Sequence, residues 1–120
     1  MGHFKSLLAY QKAYQLAIQI FNISRAFPNE ERYGLTSQIR NSSRSVCANL
    51  AESWKRRQYK DYFMSKLNDA ETENAETEVW LDMCLDFKYI SPEQYRLLLE
   101  LNNEVGKLIY YMIKNPEKFL

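Results

Sequence analysis

Apolar residues recur at spacings of three and four over four separate stretches of this chain, the period of helices packed on one another. Ala9, Ala13, Leu16, Ile20, Ile23 and Phe27 follow a 4-3-4-3-4 spacing, which predicts a first helix over about 6–26, stopped by Phe27-Pro28-Asn29. Leu35, Ile39, Ser42, Val46, Asn49 or Leu50, and Ser53 form the core row of a second helix over about 30–54, with Gly34 placing its regular start nearer Leu35. That helix is rich in small residues, which let a neighbour approach closely and whose hydroxyls bond back to carbonyls when buried. Phe63, Leu67, Ala70, Asn74, Thr77, Leu81 and Cys84 make the seam of a third helix over about 58–88. Asn74 and Thr77 interrupt this row, and polar groups in a seam must be paired and can fix register. Ser91-Pro92-Glu93-Gln94 reads as a capping box with proline at the first helical position. It opens a fourth helix over about 92–113, with Leu98, Leu101, Val105, Leu108 and Met112 as its seam. Short connections make sequential neighbours antiparallel. The expected fold is therefore all-α, a single domain over 1–120 built as an up-down-up-down four-helix bundle.

The first helix carries a second apolar row, Tyr10, Tyr14, Ala17, Ile18 and Phe21, whereas a helix of a monomeric bundle needs one buried stripe. Either another subunit covers this row or the tyrosines lie flat on a monomer's surface. Burial against a second copy is the simpler remedy and makes Tyr10, Tyr14, Ile18 and Phe21 the expected oligomer interface.

Composition agrees with long helices: only three Gly and three Pro punctuate 120 residues, too few for a many-stranded sheet. No apolar run approaches the roughly 20 residues that span a bilayer, and no secretory signal pattern stands at the N-terminus, so a cytoplasmic protein without a membrane partner is expected. Cys47 and Cys84, far apart in sequence, are expected as buried free thiols rather than a disulfide. The net charge of +1 hides an asymmetry, because the cations gather in the first half of the chain and the carboxylates in the third and fourth helices.

Catalytic chemistry is poorly provided for. His3 is the only histidine, which removes Ser-His-Asp and Cys-His sites, His-based zinc sites and the paired Glu-x-x-His motifs of di-iron bundles. Scattered glycines leave no phosphate loop, and the carboxylates of the third helix lack a calcium-loop spacing. No catalytic residue, metal or cofactor is expected, and the protein is read as a non-enzyme. What remains is basic. Arg40 and Arg44 are one turn apart on a stripe that passes Ala48 and Ala51 to Lys55, and Lys55, Arg56, Arg57 and Lys60 cluster beside Trp54, Tyr59 and Tyr62. Cations next to aromatics suit the phosphates and exposed bases of RNA or single strands. The alternative is a scaffold that docks a partner protein through the acidic third helix or the tyrosine-rich surface.

The segment Phe27-Pro28-Asn29-Glu30-Glu31-Arg32-Tyr33-Gly34-Leu35-Thr36-Ser37-Gln38-Ile39-Arg40 resembles a signature of bacterial four-helix bundle proteins, among them those encoded in intervening sequences of large-subunit ribosomal RNA genes. Ser45-Val46-Cys47-Ala48-Asn49-Leu50-Ala51-Glu52-Ser53 and Ala75-Glu76-Thr77-Glu78-Val79-Trp80-Leu81, with Tyr89-Ile90 beyond, extend the resemblance over essentially the whole chain. Ser53 stands where those proteins have Gly, and Lys88 where a Gly precedes the Tyr-Ile pair, so both helix ends are expected to be reshaped. The resemblance, shared with accessory variability proteins of diversity-generating retroelements, implies a homopentameric barrel that binds RNA or DNA and, in the retroelement case, a reverse transcriptase. By position it implies phosphate contacts at Arg40, Arg44, Arg56 and Arg57. Asn49, Glu52, Asn74 and Glu76 are then expected to form a buried structural polar network rather than an active site.

Overall fold

The computed structural model describes residues 2–120, and its regular elements are all helical: α1 (Leu8–Ser24), α2 (Leu35–Lys55), α3 (Lys60–Asp86) and α4 (Pro92–Lys114). Short 3₁₀ turns at Phe4–Ser6, Asn29–Glu31 and Pro116–Lys118 decorate the ends. The molecule is 44 Å long and 20–25 Å across, and α3, 27 residues long, runs most of that length. α1 packs on α2 and α4, and α3 closes the ring of contacts against the same two helices.

Two apolar clusters fill the interior and prove the antiparallel order. One joins Ala9 and Ala13 from the start of α1, Val46, Leu50 and Trp54 from the end of α2, Phe63 and Leu67 from the start of α3, and Ile109 and Met112 from the end of α4. The other joins Leu16 and Ile20, Leu35 and Ile39, Leu81 and Cys84, and Leu98. Between them lies a polar layer: the Ser42 and Thr77 hydroxyls are 2.8 Å apart, and the Asn74 amide donates to the side-chain and main-chain oxygens of Asn102 at 2.9 and 3.0 Å. Asn102 donates back to the Asn74 carbonyl at 3.2 Å.

Helix ends follow local chemistry. α1 begins at Leu8 rather than near Ser6, because Leu7 is extended after the 3₁₀ turn. α2 begins at Leu35, the later of the two starts the sequence offered, with Glu31 reaching up to cap it: its carboxylate accepts from the Leu35 N–H at 3.0 Å. α3 is shorter at both ends than the expected range of about 58–88. It starts at Lys60 after a turn over Arg56–Tyr59 and stops at Asp86, where the Lys88 N–H bonds the Leu85 carbonyl and the Tyr89 N–H bonds the Cys84 carbonyl. That pair of bonds requires a left-handed residue, and Lys88 supplies it at φ 64°. α4 opens on the reciprocal Ser91–Gln94 capping box. Its buried seam is Leu98, Asn102, Val105, Ile109 and Met112, so Leu101 and Leu108 move to the half-buried flank.

Candidate nucleic-acid interface

The turn from α2 to α3 turns the sequence's densest positive charge outward. Residues Lys55–Lys60 hold four cations and no carboxylate, and Lys55, Arg56 and Lys60 are exposed. Arg57 is half-buried because it also closes the helix: one guanidinium N–H donates to the Trp54 carbonyl at 2.8 Å, and the group stacks 4.0 Å from the Trp54 ring. One donor of five is used there, leaving the others for a ligand. Arg56 lies 5.7 Å from the centroid of Tyr62, which is itself largely exposed, as is Tyr59. The nearest carboxylate on α2, Glu52, is taken by Lys66 at 3.4 Å, and that contact, first among several, raises the Lys66 pKa. Among the described residues none of Lys55, Arg56, Arg57 and Lys60 is ion-paired; the paired cations are Lys12, Lys66 and Arg96.

Arg40 and Arg44 stand apart from this corner. Sixteen residues separate Arg40 from Arg56 along α2, about 24 Å at the helical rise. Between the two groups the surface is apolar, a groove lined by Phe4, Tyr10, Tyr14, Ala17, Cys47, Ala48 and Ala51. Arg40 donates to the Ser24 hydroxyl at 2.8 Å and stacks 4.7 Å from the Phe21 ring, with Arg44 at 5.9 Å. The basic stripe anticipated from sequence is thus two sites: a corner at the α2–α3 turn and an arginine group on the second apolar row of α1. Tyr14, Ile18 and Phe21 of that row are exposed and Tyr10 is half-buried, its hydroxyl pKa raised by burial and by the neighbouring Cys47 and Tyr14.

The expected four-residue polar network does not form. Asn49 is buried but bonds Ser45 in its own helix at 3.2 Å. Glu52 faces Lys66 at the surface, Glu76 is exposed, and Asn74 pairs instead with Asn102, a residue the sequence reading passed over. Packed helices leave no room for a buried carboxylate without a partner charge, so Glu52 and Glu76 turn to solvent. Both cysteines are free, and burial pushes their thiols up to about 11 at Cys47 and about 12 at Cys84, far from a reactive thiolate. No described helix is long and apolar enough to cross a membrane.

Fold and surface together define a four-helix protein whose α2–α3 corner carries cations that, among the described residues, meet no carboxylate. The chain belongs to the 23S rRNA-intervening sequence protein family, whose profile matches residues 5–111. Among solved structures, it is similar to a protein of unknown function from the S23 ribosomal protein family of Bacteroides thetaiotaomicron VPI-5482, at 32% identity and a TM-score of 0.82. That match covers 89% of this chain and 96% of the other. No curated protein matches the chain.

Proposed function

We propose that the protein is a non-catalytic nucleic-acid-binding module that works as a homo-oligomer, a ring of five in the form the family resemblance implies. The carrying observation is the α2–α3 corner: four cations in six residues, none neutralised by a carboxylate, around exposed Tyr59 and Tyr62. Elsewhere in the molecule, carboxylates within reach do pair with cations, as Glu93 and Glu100 do with Arg96, so an unneutralised cluster favours an anion from outside. Aromatic faces beside it suit unpaired bases, and the family name makes structured ribosomal RNA the natural first probe. Self-association repeats the corner on each subunit and strengthens polyanion binding through multivalency.

Arg57 clamps the end of α2, so the test spares it. Arg56→Glu with Lys60→Glu is expected to lower affinity for a structured RNA more than tenfold in fluorescence anisotropy, with circular dichroism and oligomer size unchanged. Unaltered affinity in that variant would remove the reading.

A further inference from the structure

Three guanidinium groups converge on one exposed phenyl ring. Arg40, Arg25 and Arg44 lie 4.7, 5.9 and 5.9 Å from the centroid of Phe21, and among the described residues none of the three meets a carboxylate. The ring forms one wall of an open groove whose other walls are Tyr14, Ala17, Ile18 and the stem of Arg44. Like charges gathered over apolar surface repel one another until an opposite charge is brought in, and the gain is largest where water is displaced.

The chain carries the complementary surface elsewhere. Leu81 and Cys84 of α3 are wholly buried, whereas Val79, Met83 and Phe87, four residues apart at the end of that helix, are 47%, 38% and 52% exposed. They form an apolar stripe on the side of α3 away from the core. Glu76, Glu78 and Asp86 surround it, all exposed, and among the described residues none is ion-paired. One face is apolar and cationic, the other apolar and anionic.

We propose that the Phe21 face of one copy docks on the Val79–Met83–Phe87 stripe of a second copy, with Arg25, Arg40 and Arg44 meeting Glu76, Glu78 and Asp86. The inference rests on the self-association reading and extends it by naming the other half of the interface. Because two different surfaces meet, the contact is head-to-tail, and the assembly closes into a ring or grows as a filament rather than stopping at a two-fold dimer. A nucleic-acid backbone is the rival occupant of the arginine group. It would leave Tyr14 and Ile18 wet, whereas the α3 stripe covers them.

The test uses two singly blocked chains. Ile18→Asp spoils the α1 face and keeps the α3 stripe; Met83→Asp does the reverse. Light scattering should find the wild type oligomeric, each variant monomeric with native circular dichroism, and an equimolar mixture forming a two-chain complex that grows no further. A monomeric wild type would overturn both this pairing and self-association itself. An oligomeric wild type whose size either substitution leaves unchanged would overturn the pairing alone. Should Met83→Asp unfold, Glu76→Lys with Asp86→Lys replaces it and is expected to dissociate the assembly likewise; an unchanged size contradicts the proposal. Arg25→Glu with Arg44→Glu losing RNA affinity at full oligomer size would give the arginine group to phosphate and overturn it too.

Discussion

At Glu31 a single carboxylate joins both connections at one end of the bundle. One oxygen accepts the Leu35 N–H at 3.0 Å and the other accepts the Tyr89 hydroxyl at 2.8 Å. The backbone bond first, and the tyrosine second, hold its pKa below the ordinary 4.5. A depressed folded-state pKa means the contribution is complete above the unfolded value and is lost as pH falls through the folded one. Glu31→Gln is therefore expected to be less stable than wild type at pH 7 in urea unfolding, and to lose less on going to pH 3. Equal acid sensitivity of the two proteins would count against this capping role. Gly34 follows from the same contact, since a Cβ there would sit 2.7 Å from the capping oxygen. Lys88 is the converse: an ordinary side chain at φ 64°, where the left-handed backbone favours glycine. Lys88→Gly should raise stability by about 1 kcal/mol, seen as a higher urea midpoint with unchanged slope.

The contact between α3 and α4 shows what one residue decides for a pair of helices. Asn74 and Asn102 satisfy one another in the polar layer between the two apolar clusters, a device that fixes the register of neighbouring helices. Gly106 makes room for it, because a Cβ there would lie 2.7 Å from the Asn74 amide oxygen. Alanine is the better helix former by about 1 kcal/mol, yet Gly106→Ala is expected to destabilise by about 1–2 kcal/mol, since displacing Asn74 leaves the buried Asn102 unpaired. Stabilisation by that substitution would show that the pair carries no weight. Sequence patterning found the four helices because their apolar rows are long and regular, and it found the Ser91 cap because the motif is local. It missed Asn102 and Ile109 in the seam of α4 because an apolar count steps over a buried asparagine and settles on Leu101 and Leu108. It joined Arg40 and Arg44 to Lys55 because linear order shows the shared helix face and not Phe21, which reaches over from α1 and draws Arg40 and Arg44 to itself. The α3 stripe was open to the same counting, since Val79, Met83 and Phe87 keep a spacing of four, but the acidic residues around it concealed the period.

For the whole molecule, the near-zero net charge is a poor guide to behaviour. Cations gather at the α2–α3 corner and around Phe21, carboxylates along α3, and among the described residues few of them pair with each other. Two associations are proposed for this surface, with its own kind through the apolar faces and with a polyanion through the corner. The two uses respond differently to salt and substitution, which makes them separable. The most direct measurement is the anisotropy of a labelled structured RNA titrated with protein across a salt series. Four phosphate contacts per subunit predict a slope of about −3 in log affinity against log salt, cut to about half by Arg56→Glu with Lys60→Glu. Absence of binding at low salt, or a slope that this variant leaves unchanged, would contradict the assignment of the corner to nucleic acid.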